Sequence, residues 1–180
     1  MDQVTTFMNE RLMNTTRNPK EDKILTKTMI NNYAKNDLLP PPVKKKYAKE
    51  HILVLIFIYY FKGILSIGDI QALLKPITDR FFSTGGEFDL ETIYGQVCEM
   101  EKKQVDSLKH DVIEKYKTSM ESFENAPEEN KEFLKLFAFI CELSLDVYVK
   151  RLLIEKLIDQ MVKTDPEHKK EKKESKKSAE

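Results

Sequence analysis

Apolar side chains return every three or four residues through most of the chain, and polar or proline-rich breaks separate the segments that carry them. Val4, Phe7, Met8 and Leu12 predict a short amphipathic helix over residues 3–13. The polar stretch from Asn14 to Asp22, with Pro19 inside it, reads as a loop. Ile30 and Tyr33, with Ala34 beside them, share one face of a second helix for which Thr26 can act as N-cap. That helix must stop ahead of Pro40-Pro41-Pro42, because proline lacks an amide hydrogen and disfavours helix in the residue before it. Residues 43–47, Val-Lys-Lys-Lys-Tyr, are short, basic and expected to be exposed.

Residues 48–62 hold an apolar run from Ile52 to Phe61. Its β-branched members fit strand as well as helix on periodicity alone; the length and the lack of an alternating polar face predict a buried helix. Gly63 breaks the run. Ser66 to Asp69 has the form of a capping box, with Asp in place of Glu, and predicts a short helix ending near Lys75 at Pro76. Ser83-Thr-Gly-Gly-Glu is a strong turn signal and marks a domain boundary. Asp89 can cap a long amphipathic helix through Leu90, Ile93, Val97, Val105, Leu108, Val112 and Tyr116 towards Phe123. Asn125-Ala-Pro-Glu breaks it, and Pro127 suits the first position of a last helix over 128–163. That helix is apolar around most of its middle (Phe133, Leu136, Phe137, Phe139, Ile140, Leu143, Val147, Tyr148), which calls for more than one covering neighbour.

The pattern predicts an all-α protein. Five Gly and seven Pro in 180 residues are too few for the turns of an all-β fold. The apolar run is about half the ~20 residues of a membrane-spanning helix, so no membrane partner is expected. The N-terminus lacks the basic start and apolar stretch of a signal peptide. Cys98 and Cys141 stand alone and make no disulfide framework, which predicts a reducing, cytoplasmic setting.

Charge divides the chain. The total is zero, but residues 1–90 carry net +3, residues 91–165 net −5 and residues 166–180 net +2, so two jobs within one chain are expected. After Asp165-Pro166 the run HKKEKKESKKSAE reads as a disordered charged tail.

Candidate chemistry concentrates in residues 23–74. Lys44, Lys45, Lys46 and Lys49, with Lys23, Lys27, Lys35 and Lys62, place positive charge near one exposed helix, where phosphates would release counterions on contact. Asn31 and Asn32 each donate and accept, which suits adenine edges in a major groove. Tyr33 and Tyr47 can bond phosphates through their hydroxyls or pack in the core. A solvated lysine loop beside an ordinary helix would carry the same residues. Elsewhere the catalytic signals fail. His51, His110 and His168 lie far apart without zinc spacing, and Gly85-Gly86 lacks the partners of a phosphate loop. Cys98 suits a small buried position better than a sensor site. Acidic residues along 90–124 alternate with Lys as on a solvated face. Neither catalysis nor a metal or cofactor is expected.

The same block resembles the DNA-binding domain of MerR-type transcription regulators. Thr28-Met29-Ile30-Asn31-Asn32-Tyr33 stands where the recognition helix would be, Leu38-Leu39-Pro40-Pro41 matches the turn after it, Lys44 to Tyr47 stands for the wing, and Ser66-Ile67-Gly68-Asp69-Ile70 for the start of the last short helix. LTKTMINNYAK with PPP, KKKY and KEH is closer still to a bacterial family, the domain of unknown function 1836, itself considered MerR-like. The wing is about half the usual length and lacks the expected Gly and Arg before Tyr47, which fits a plain basic loop. The segment before residue 24 is longer than a tight helix-turn-helix connection, and Ala48 replaces a Ser cap at ~1 kcal/mol.

The resemblance implies a MerR-like winged helix-turn-helix domain over residues 1–80, a long antiparallel helical pair for dimerisation or regulation over 81–165, and the tail 166–180. It implies a DNA-binding transcription regulator without catalysis, with double-stranded DNA as partner and Lys27, Thr28, Asn31, Asn32, Lys35, Lys44, Lys45, Lys46 and Tyr47 as contacts. The breadth of the apolar faces adds an expected homodimer through residues 90–163. The alternative is a helical protein–protein adaptor that kept the fold without DNA contact; a continuous basic face favours DNA, and acidic interruption of it favours the adaptor.

Overall fold

The computed structural model describes residues 1–19, 21–82, 86 and 88–164. They form six α-helices and, among the described residues, no β-strand beyond one isolated bridge. The protein is all-α.

Helix α1, Asp2–Leu12, buries Val4, Met8 and Leu12 at helical spacing and runs into a 3-10 turn, Met13–Thr15. Residues 16–26 then lead to α2, Lys27–Lys35. Thr26 caps α2 as expected, its Oγ1 accepting the Met29 N–H at 3.2 Å. Ile30 and Tyr33 form its buried face. The helix stops before the prolines are reached. Asp37 turns left-handed at φ 54°, and the N–H groups of Leu38 and Leu39 both donate to the Tyr33 carbonyl, at 2.9 and 3.2 Å. That turn buries Leu38 and Leu39 and anchors the proline segment to the core.

The apolar run is helix α3, Lys49–Phe61. Leu53, Val54, Leu55 and Ile58 are buried, so the β-branched residues serve helix-to-core contact rather than a sheet. Lys62, just past its end, donates to the Ile24 carbonyl at 3.0 Å and lies 4.8 Å over the Tyr59 ring, fastening the loop before α2. Helix α4, Ile67–Phe81, opens with the expected reciprocal cap: Ser66 Oγ accepts the Asp69 N–H at 3.1 Å and Asp69 Oδ2 accepts the Ser66 N–H at 3.3 Å.

The expected end of α4 at Pro76 is corrected: the helix continues through it. An interior proline costs ~3 kcal/mol in an isolated helix. Here Ile70 and Leu74 are buried before it, and after it Phe81 meets Phe88 and Phe82 meets His51, so core burial ahead of the proline and aromatic contacts beyond it hold the helix together. Apart from Gly86, the turn Ser83 to Glu87 lies outside the described residues, as does the tail 166–180.

Helix α5, Leu90–Met120, begins at Asp89, whose Oδ1 accepts both the N–H and the hydroxyl of Thr92 at 2.9 Å. Helix α6 is Glu128–Thr164, and Pro127 stands just ahead of it rather than at its first position. The chain divides into two compact units, Met1–Tyr94 with Leu157 onward, and Gly95–Lys156. In the second unit α5 and α6 run antiparallel: Lys115 pairs with Asp146, Tyr116 meets Phe139 edge-on at 5.4 Å, and Ser119 Oγ reaches Glu142 at 3.4 Å. No described helix is long and apolar enough to cross a membrane.

Candidate nucleic-acid interface

The polarity of α2 follows from its two buried residues. With Ile30 and Tyr33 facing the core, Lys27, Thr28, Asn31, Asn32 and Lys35 all fall on the exposed side. The side chains of Asn31 and Asn32 have no hydrogen-bond partner among the described residues, so their donors and acceptors face solvent with full capacity.

After the prolines the chain reverses in the tightest way available. Val43 and Lys46 form an isolated antiparallel bridge, with the Lys46 N–H donating to the Val43 carbonyl at 2.9 Å. Lys44 and Lys45 between them have φ of 50° and 63°. Two successive positive values define a type I′ turn, whose usual occupants are Asn and Gly. The plain loop fitted to the sequence is therefore a minimal hairpin, and two lysines occupy positions where an ordinary side chain costs ~1 kcal/mol or more. Replacing them with the residues the turn prefers, Lys44→Asn with Lys45→Gly, should raise thermal stability by about 1–2 kcal/mol. An unchanged or lower melting midpoint would contradict the strain.

A groove of about 520 Å³ lies between α2 and this hairpin, lined by Met1, Asn31, Ala34, Lys35, Pro42, Lys45 and Tyr47. It brings together four of the sequence-predicted residues: Asn31, Lys35, Lys45 and Tyr47. Lys44 and Lys46 are exposed on the same hairpin, and Lys27, Thr28 and Asn32 on the same helix face.

The group of lysines is smaller than the sequence implies. Lys27 pairs with Asp2, whose carboxyl its amine holds below the usual range, so one acidic residue interrupts the basic face at the start of α2. Lys49 pairs with Glu91 at 2.5 Å, and Lys62 turns into the fold. Lys23, Lys35, Lys44, Lys45 and Lys46 have no ion pair among the described residues and carry the remaining positive charge.

His51 holds the hairpin in place, a role not read from the sequence. It is buried at the third position of α3, where its Nδ1 accepts the Ala48 N–H at 2.9 Å. Ala48 has no side-chain acceptor, so this is half of a capping box, and it offsets part of the missing Ser cap. With Nδ1 accepting, the ring proton sits on Nε2, which faces the Pro41 carbonyl at 3.5 Å. The ring also meets Tyr47 edge-on at 5.3 Å and Phe82 at 4.7 Å. One imidazole thus touches both flanks of the 43–46 hairpin. Burial pushes its pKa down, against the opposing effect of its backbone hydrogen bonds and of Glu50. A histidine three residues after Ala48, at the start of an apolar helix, was the available signal.

Burial raises the pKa of Tyr33 and Tyr47. Tyr33 is buried in the core, whereas Tyr47 is half-buried and lines the groove. Among the described residues no cluster of His, Cys, Asp or Glu is arranged to hold a metal ion. Cys98 is half-buried and Cys141 exposed, both far along the sequence from the groove. Replacing both by Ala should leave any nucleic-acid affinity within a few-fold; a large loss would return the cysteines to consideration as a sensor.

The family model for a domain of unknown function, DUF1836, matches residues 1–97, a span that contains the groove, the hairpin and His51. No curated protein and no solved structure matches the chain.

Proposed function

We propose that this chain, which belongs to the DUF1836 family, binds double-stranded DNA through α2 and the 43–46 hairpin and acts as a non-catalytic regulator of transcription. The observation that carries this reading is the groove itself. It joins Asn31 and Lys35 of α2 to Lys45 and Tyr47 across the proline turn. A helix face with unsatisfied amides suits base edges, and an adjacent basic projection suits phosphates. This is the division of labour expected of a MerR-like recognition helix and wing.

The strained turn supports the same reading. Left-handed backbone at Lys44 and Lys45 is sustained at a cost in stability, and such outliers cluster where a ligand is met. The double variant Lys44→Asn with Lys45→Gly relieves that strain but removes two cations, so it should bind DNA less well than wild type. Stability and binding would then move in opposite directions.

The test is a fluorescence anisotropy titration with mixed-sequence duplex at low salt, repeated at rising salt. Binding that weakens linearly in log–log form supports the reading. Absence of binding at low salt would transfer the argument to the adaptor, in which the Asp2–Lys27 pair marks the lost basic face.

A further inference from the structure

We infer that the groove between α2 and the hairpin reads one A·T base pair, with Asn31 on the adenine edge and Ala34 against the thymine methyl group. The inference rests on the DNA-binding reading above and adds to it the base pair that the site prefers. Asn31 lines the groove and Asn32 does not, although the two are neighbours in the chain. Successive residues of a helix point about 100° apart, so the two amides meet different parts of a ligand and only Asn31 lies beside the hairpin.

The surroundings of Asn31 narrow its choice of base. Its amide has no hydrogen-bond partner among the described residues, so donor and acceptor are both available. Adenine matches such an amide bidentately, because N6 donates and N7 accepts. Guanine keeps only one of the two bonds, since O6 and N7 both accept. Ala34 follows three residues later and lines the same groove; Cβ atoms at that spacing lie ~5–6 Å apart, close enough to meet the two halves of one pair. Pro42 and Met1 add to the apolar lining, and all three are half-buried. Thymine alone carries a methyl group into the major groove, and alanine is among the side chains that pack on it. Cytosine in that place presents an amino donor instead, and no described carboxylate lines the groove to accept it.

The cations complete the fit. The methyl group lies on the backbone side of its base, so a thymine held against Ala34 brings its own strand into the groove. Lys35 of α2 and Lys45 of the hairpin both line it, exposed and without an ion pair among the described residues, and Tyr47 adds a hydroxyl. These groups suit the phosphate oxygens of that strand. At about 520 Å³ the groove falls within the ~300–1,000 Å³ of sites that enclose small organic groups, which is room for one nucleotide of a strand and not for the duplex.

The test starts from a pool of duplexes with a randomised centre, selected on the full chain at low salt and sequenced. The enriched site should hold a fixed A·T pair. Each thymine of that site is then replaced in turn by deoxyuridine, which lacks only the methyl group. At one position the dissociation constant should rise about threefold to fourfold, as for one buried methyl-sized group, and exchange of that pair for G·C should raise it at least about fivefold. Ala34→Gly removes the facing methyl and should abolish the difference between thymine and deoxyuridine at that position. Asn31→Ala should do the converse, keeping that difference while the preference for A·T over G·C falls. An enriched site without a fixed A·T pair, or equal affinity for thymine and deoxyuridine at every position, overturns the inference and leaves DNA binding standing. A difference that survives Ala34→Gly at full size also overturns it. Should Ala34→Gly fail to fold, the wild-type deoxyuridine series and Asn31→Ala decide. No binding of the pool at low salt overturns the DNA-binding reading and this inference together.

Discussion

Replacing Lys44, Lys45 and Lys46 together with Ala is expected to weaken binding to every DNA duplex and to flatten its salt dependence. Each phosphate contact contributes a log–log slope of about −0.9, so the loss of three contacts reduces the slope by up to ~2.7. The three amines are exposed and free of ion pairs among the described residues, so their removal costs no intramolecular interaction. Lys27→Ala is the internal control. Its amine already sits on Asp2, so the slope should change little. Asn31→Ala with Asn32→Ala should act differently. A good bidentate contact discriminates by ~1–3 kcal/mol against the wrong base, so the preferred site should weaken while nonspecific binding and the slope persist. Competition titrations at several salt concentrations separate the two effects. If the triple lysine variant binds as wild type does at every salt concentration, the hairpin does not touch phosphate.

Acidification from pH 6.5 to 5 is expected to destabilise the first unit through His51. The imidazole pKa lies below its ordinary 6.5 in the folded chain. Above that value neither state binds the proton and the group contributes nothing to pH dependence. Below it the unfolded chain takes up a proton that the folded chain resists, so stability falls with pH, by at most ~1.4 kcal/mol per pH unit, until the folded value is reached. The carboxyl groups held low, Asp2 and Asp89 in this unit, lose their contribution only as pH falls through their own depressed values. The interval above pH 5 therefore isolates the imidazole. A proton on Nδ1 would oppose the Ala48 N–H, loosening the start of α3 and the hairpin that Tyr47 joins to it. His51→Asn keeps an oxygen acceptor for the Ala48 N–H without a titrating group. It should flatten the stability profile over this interval, whereas His51→Ala should cost ~2–4 kcal/mol through a cavity and an unsatisfied donor. Urea denaturation at half-unit pH steps reads all three. Equal slopes for wild type and His51→Asn would remove His51 as the source.

The features legible in the sequence were those set by neighbours three or four residues away. The caps at Thr26, Ser66 and Asp89 were readable because donor and acceptor lie within one helical turn. Exposure of Thr28, Asn31 and Asn32 followed from the spacing of Ile30 and Tyr33, and the helical state of α3 from its length. Local spacing by itself thus determined the all-α class and placed the candidate amides beside the lysine run.

Tertiary structure decided whatever depended on remote partners. Which lysines remain free was set by Asp2, Glu91 and the Ile24 carbonyl, each distant from its lysine in the chain. Helix α4 survives Pro76 because aromatic contacts beyond it offset the missing hydrogen bond, and periodicity carries no record of those contacts. Positive φ at Lys44 and Lys45 reverses a propensity, since these two residues alone must close the pairing of Val43 with Lys46. The side of α6 that faces α5 was open in the sequence, because the helix is apolar around most of its middle. Pairing of Lys115 with Asp146 turned charge inward, and Phe133 and Phe137 were left exposed.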